Sequence, residues 1–242
     1  LLFALLVLQH RVASVLAGLG NDGLRSPVGW RHHHLIVNYF VLGDQVVMTP
    51  AFWGSEPVVA TAGKYAGTSI LQREQDQGLA LVRALPGPQR ARAILRADKG
   101  GNDNVGEAFK DNAVLDYAGL PAKDMSASHR RALLALVSLF VSNLRDGHAK
   151  VQMADVERHL DETYFAWIGD TATDAVFYYR IHSPVILIEF DHQRPANLAH
   201  QAADRTRPVR SHIHGGVRTP NGNDYGKDLL RQHYQTSHAG PH

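Results

Sequence analysis

Cysteine is absent from this 242-residue chain. Disulfides, thiolate nucleophiles and thiolate metal sites are therefore excluded, and site chemistry must come from imidazole, carboxylate and hydroxyl groups. Long runs of one charge sign are missing too. The 25 Lys plus Arg nearly balance 23 Asp plus Glu, for a formal net charge of +2, so nucleic acid is not an expected partner. The apolar stretch "LLFALLVL" at 1–8 falls far short of the roughly 20 residues that a membrane-spanning helix needs, so no span is expected. No G-x-S-x-G elbow, P-loop, GxGxxG fingerprint or H-E-x-x-H occurs, which removes the usual support for serine hydrolase, nucleotide-binding and zincin readings.

What is present is an ordinary globular composition, 44% hydrophobic and 20% charged, on a chain long enough to bury a sizeable core. "LLFALLVLQHRVASVLAGLG" reads as a buried helix ending at Gly18 or Gly20, with a trimmed signal segment as the alternative. Because Leu1 is not preceded by Met, a start further upstream is expected. "LIVNYFVL" and "QVVMTP", separated by Gly43-Asp44, predict a hairpin. Helices are expected over 68–85, 88–95, 125–149 and 150–163, with Ser126 as an N-cap and Gly147 as a C-cap. Residues 98–124, rich in Gly, Asn and Asp, read as a long surface excursion. "AVFYYRIHSPVILIEFDH" at 175–192 predicts a second hairpin turning at Ser183-Pro184, and 209–218 a further strand before a terminal helix over 225–234. Helices cluster between strand pairs rather than alternating with single strands. The expectation is one α+β domain over 1–242, with a largely antiparallel sheet built from two hairpins and a C-terminal strand, packed against several helices.

Fifteen histidines dominate the candidate chemistry, with three consecutive at 32–34 and a pair at 212 and 214. On a strand, His212 and His214 point to one face and Ile213 to the other, so both imidazoles can converge on one ligand; Arg210 would share their face. In "ILIEFDH", Glu189 and Asp191 interrupt a buried pattern, and such carboxylates need partners. A two-residue turn would set Tyr178 opposite Glu189 and Arg180 diagonal to it, so Glu189 could equally serve only to neutralise Arg180. His33 and His34 open the first hairpin. These histidines with a carboxylate would suit a single zinc, iron, manganese or copper ion, although an HxH pair also arises by chance and adjacent histidines can be mere surface groups. "TPNGNDYGKD" at 219–228 is either an ordinary loop in which Asp224 caps the last helix, or an anion site formed by that helix start with Arg218 and Lys227.

"HHLIVNYFVLGDQVVMTPAFWGSEP" (33–57), "FAWIG" (165–169), "FYYRIHSPVILIEFDHQ" (177–193) and "HIHGGVRTPNGNDYGKDLLRQHY" (212–234) occur in order, and together they resemble the domain of unknown function 3500 family over residues 28 to 234. The start, "VGWRHHHL", is shorter than the family's pattern. The resemblance implies no activity, but it groups the HH, EFDH and HxH…R segments as motifs of one family. The resulting expectation is a metal-dependent enzyme with His33, His34, His212 and His214 as ligands and Glu189 as a further ligand or general base. Arg218, with Arg180, would orient a small anionic or carbonyl-bearing substrate. Its rivals are a metal-free anion-binding module using Arg210, Arg218 and the N-terminus of the last helix, and an inactive relative in which the buried Arg, His and Glu residues serve fold specificity alone.

Overall fold

The computed structural model describes residues 12–18, 34–42, 45–106, 114–196 and 198–237. Among them a ten-stranded sheet forms from β1 (Val12–Gly18), β2 (Leu35–Leu42), β3 (Gln45–Val47), β4 (Ala51–Ser55), β5 (Ile94–Arg96), β6 (Leu120–Pro121), β7 (Tyr164–Gly169), β8 (Phe177–His182), β9 (Leu187–His192) and β10 (Ile213–Arg218). Its main path runs β1-β2-β4-β10-β9-β8-β7-β5, with β3 on β2 and β6 on β7. Every pairing is antiparallel except β5 with β7. The helices are α1 (Gln72–Ala84), α2 (Gly87–Ala93), α3 (Ala127–Val141), α4 (Asp146–Arg158) and α5 (Lys227–Ser237). The chain is thus α+β with a largely antiparallel sheet, as the strand pairs implied.

The period-two pleat sorts the central strands into two faces. Trp53, Phe165, Trp167, Phe177, Tyr179, Ile181, Ile188, Phe190, Ile213 and Val217 belong to the apolar core, joined there by Leu79 and Val82 of α1 and by Leu133, Leu136, Val137 and Phe140 of α3. Aromatic stacking fixes this layer: the Tyr179 and Phe190 rings lie 5.0 Å apart and nearly parallel, and Trp167 and Phe177 4.2 Å apart. The alternate residues Tyr178, Arg180, Glu189, Asp191, His212, His214 and Arg218 occupy the other face. All but the half-buried His214 are nonetheless buried.

Several elements differ from expectation. Residues 12–18 are a strand, not a helix, and pair along their whole length with β2; a short apolar run carries no period of its own, and the open edge of β2 decides its conformation. The remainder of the expected helix, 1–11 and 19–20, lies outside the described residues, as do Gly43 and Asp44, although Leu42 pairs with Gln45 across them. Ile94 and Leu95 leave the expected helix to form β5 beside β7. The long helix expected over 125–149 is two helices. Ser126 caps the first through a bond from the His129 N–H, as predicted. Its end is set by Asn143, whose Nδ2 donates to the Leu139 and Phe140 carbonyls at 3.4 and 3.2 Å, and Gly147 instead lies in the first turn of α4.

The second hairpin turns over four residues, 183–186, rather than two. The Ser183 hydroxyl accepts the Val185 and Ile186 N–H groups at 3.2 Å, and its own N–H bonds the Ile186 carbonyl. The register therefore moves by two: Arg180 lies directly opposite Glu189 and Tyr178 opposite Asp191. Each residue keeps its face, because the shift equals one pleat period. The Asp224 carboxylate takes the Arg218 guanidinium and the Thr219 N–H.

Gly78 of α1 lies against the sheet, where an added Cβ would sit 2.4 Å from Cε1 of the fully buried Tyr179. Alanine ordinarily favours a helix over glycine by about 1 kcal/mol, but here overpacking should dominate. Gly78→Ala is expected to lower stability by about 1–3 kcal/mol in urea unfolding; a stabilised variant would contradict this packing. His192 is fully buried on the core side, where its Nδ1 accepts the Phe177 N–H at 2.9 Å and its Nε2 meets Gln75 Oε1 at 2.9 Å. Burial, helped by the Arg210 charge, pushes its pKa down to about 3. Between that value and about 6.5 the unfolded chain binds a proton that the folded chain does not, so His192's contribution is present above the unfolded pKa and is lost as pH falls. The stability advantage of wild type over His192→Gln should narrow by about 2 kcal/mol from pH 7 to pH 5; an unchanged gap would mean that the ring titrates normally in the fold.

Candidate metal centre

Strand β10 is flanked by β4 and β9, with His214 opposite Gly54 on one side and Asp191 on the other. His34 stands just before β2, and its carbonyl accepts the Gly54 N–H at 2.8 Å. His34 therefore meets His212 and His214, almost 180 residues away in sequence, over Gly54. His34, His212 and His214 can each direct one nitrogen to a shared point, with the three ligand atoms within 4.8 Å of one another. His212 Nε2 lies 3.4 Å from His34 Nε2 and 3.1 Å from His214 Nε2. Nitrogens about 2.05 Å from a tetrahedral zinc are separated by about 3.3 Å, so these two separations match the edges of a coordination tetrahedron.

The protonation states agree with that geometry. His212 Nδ1 lies 2.6 Å from the Arg194 carbonyl, an acceptor only, so that nitrogen carries the proton and Nε2 keeps its lone pair. Burial lowers the His212 pKa, opposed by the Arg194 carbonyl and the Glu56 charge. His214 is pushed down to about 2 by burial, and further by His212 and His34. Neutral imidazole is the metal-binding form. Phe52 closes one side, its ring 4.9 Å from that of His214.

The expected ligands and catalytic groups do not all gather here. His33 lies outside the described residues. Glu189 belongs to a neighbouring cluster, opposite Gly216 rather than His214. Its Oε1 accepts Tyr178 Oη and the Val105 N–H, both at 2.8 Å, and its Oε2 accepts the Gly106 N–H at 2.6 Å. Burial raises its pKa, opposed chiefly by these donors. Arg218 pairs with Asp224 at 2.7 Å and donates to the Gly106 carbonyl at 3.0 Å. Arg180 faces Glu189 across the ladder and sends Nη2 to the Asp116 carbonyl at 3.2 Å. Arg210 turns away to the Ala175 carbonyl at 2.7 Å, off the histidine face.

The segment read as a surface excursion supplies the cover for this face. Four consecutive N–H groups, from Asp103 to Gly106, donate to Asp191 and Glu189. Lys99, 3% exposed, sets its ammonium 2.8 Å from Asp191 Oδ1 and 3.0 Å from Asp103. Burial lifts Asp191 to about 7 even with Lys99 opposing it. Sequence reasoning missed Lys99, Gly54 and Glu56 because each matters only through long-range pairing.

A cavity of about 830 Å³ opens on the other side of the sheet, between Trp53, Val217 and the α3–α4 pair. None of the three clustered histidines lines it, so its size says nothing about their chemistry.

The protein-family model described as "Protein of unknown function (DUF3500)" matches residues 18–227. The chain belongs to the DUF3500 family. The match begins ahead of the resembling motifs and spans most of the chain. No curated protein and no solved structure matches. In this DUF3500 chain, His34, the HxH segment and the EFDH segment lie on or at the ends of β2, β10 and β9, with β4 joining β2 to β10.

A Cβ on Gly54 would sit 2.6 Å from the Ile213 carbonyl, 2.9 Å from His214 Cδ2 and 3.2 Å from His34 Cδ2. The first contact is with backbone and cannot rotate away. Gly54→Ala should cost about 1–3 kcal/mol in denaturant unfolding and force the two imidazoles apart; wild-type stability with unchanged histidine NMR shifts would contradict the close approach.

Proposed function

We propose that this DUF3500 protein is a metal-dependent enzyme whose centre is a divalent ion held by His34, His212 and His214. The observation that carries this reading is the convergence of three histidine nitrogens, His214 from β10, His212 from just before it and His34 from just before β2, with the His212 proton held on the nitrogen that faces away. Three protein ligands leave a coordination position for water or substrate, the arrangement of catalytic rather than structural zinc sites. An all-imidazole set also suits iron, copper or nickel, and geometry alone does not choose among them.

An ion there would polarise a carbonyl or other oxygen of a small substrate, or lower the pKa of a bound water. Glu189, Arg180 and Arg218 take a different part from the one first expected. Each already has protein partners, so in this reading they hold the polar face in register beside the centre, rather than contact the ion or substrate. A metal-free anion module is less favoured, because Arg218 and Arg210 are both occupied by acceptors of the chain itself. The whole chain is taken as one α+β domain, since its strands join one sheet.

Protein purified without a histidine tag should retain or take up about one zinc or related ion per chain and gain thermal stability in its presence. At free metal 100 times the dissociation constant the gain is about 2.7 kcal/mol. Replacing His212 and His214 together by Ala should abolish both uptake and stabilisation. A folded wild type that neither holds nor is stabilised by zinc, manganese, iron or copper would refute the reading.

A further inference from the structure

Two residues beyond Gly54, the chain places a carboxylate behind the same centre. Glu56 has no exposed side-chain area, and its Oε2 lies 3.9 Å from His212 Nδ1. Both carboxylate oxygens accept the Ala196 N–H at 3.1 Å. Ala196 follows closely on Arg194, whose carbonyl takes the His212 Nδ1 proton at 2.6 Å. Glu56 and the strand-exit segment 194–196 therefore form one bracket around the rear nitrogen of His212, while the front nitrogen faces His34 and His214.

With a divalent ion on the far side of the His212 ring, a carboxylate behind the ring would raise the basicity of the ligating nitrogen. Outer partners of metal-bound histidines act in this way, and losing one commonly weakens metal binding by about 10–100-fold.

We propose that Glu56 is a positioning residue of the centre formed by His34, His212 and His214: with the Arg194 carbonyl it fixes the His212 tautomer and strengthens the bond from Nε2 to a divalent cation. This rests on the metal reading above. Glu56 touches neither ion nor substrate; it acts through His212.

The test is a Co²⁺ titration of the untagged full chain, following the visible absorption of the bound ion, for wild type, Glu56→Gln, Glu56→Asp and the paired His212→Ala/His214→Ala variant. The paired variant should show no band. Glu56→Gln should bind about 10–100-fold more weakly with a shifted band, and Glu56→Asp, which keeps the charge, should recover part of the affinity. Histidine ¹⁵N spectra of the metal-free protein give a second readout: His212 should carry its proton on Nδ1 in wild type, and the population of that tautomer should fall in Glu56→Gln. Wild-type affinity and band in Glu56→Gln would overturn the role of Glu56 while leaving the metal site standing. If Glu56→Gln fails to fold, Glu56→Met, which fills similar space without the charge, decides, and wild-type affinity with an unshifted band there would overturn the proposal. No Co²⁺ uptake by folded wild type would overturn the metal reading and this inference with it.

Discussion

The pleat of β10 constrains everything around it. Hydrogen-bonded on both sides, the strand sends Ile213 and Val217 into a layer of stacked aromatics and His214 and Arg218 to the opposite face, where His212, just ahead of the strand, joins them. A slip of one residue would expose the apolar set to the polar layer and drive two imidazoles and a guanidinium into the core, so the register is strongly held. The same constraint reaches β9: Phe190 stacks on Tyr179 below the sheet while Glu189 and Asp191 project above it. The placement of the candidate centre is thus a by-product of packing on its far side.

A sheet with charged residues on one buried face needs compensating partners, and residues 99–106 provide them. Lys99 brings a cation to Asp191, and the successive N–H groups that follow satisfy two carboxylates. Backbone donors suit this task because they carry no net charge and no rotamer entropy. The histidines receive different treatment. Burial holds His212 and His214 neutral, and the proton of His212 is drawn to the Arg194 carbonyl, leaving lone pairs free to meet. Acidic and imidazole clusters therefore lie side by side on one face, each with its own support.

Much of this was legible in the sequence. Alternation in "HIH" gave the shared face of His212 and His214, and the β-rich runs gave both hairpins. His34 was legible as a hairpin-end residue, but its meeting with His214 depends on β4 pairing with both β2 and β10. Single-sequence periodicity carries no information about which strands become neighbours. The turn at 183–186 was misjudged by two residues because Ser183 uses its hydroxyl to widen the loop. Residues 98–106 were misread for a related reason: Gly and Asn mark irregular backbone, and irregular backbone can still be buried when its N–H groups have acceptors, here two strand carboxylates. Glu56 gave no local signal, since its relation to His212 arises only when the chain after β9 returns past the end of β4.

The central claim is that three imidazoles from distant segments form one metal centre, and X-ray absorption spectroscopy of the zinc-loaded, untagged protein tests it most directly. The account predicts about three imidazole nitrogens at about 2.0–2.1 Å, with the remaining coordination supplied by an exchangeable oxygen ligand such as water. A shell of oxygens alone, or of a single imidazole with water, would contradict it and leave His34, His212 and His214 as a packed polar cluster of the fold.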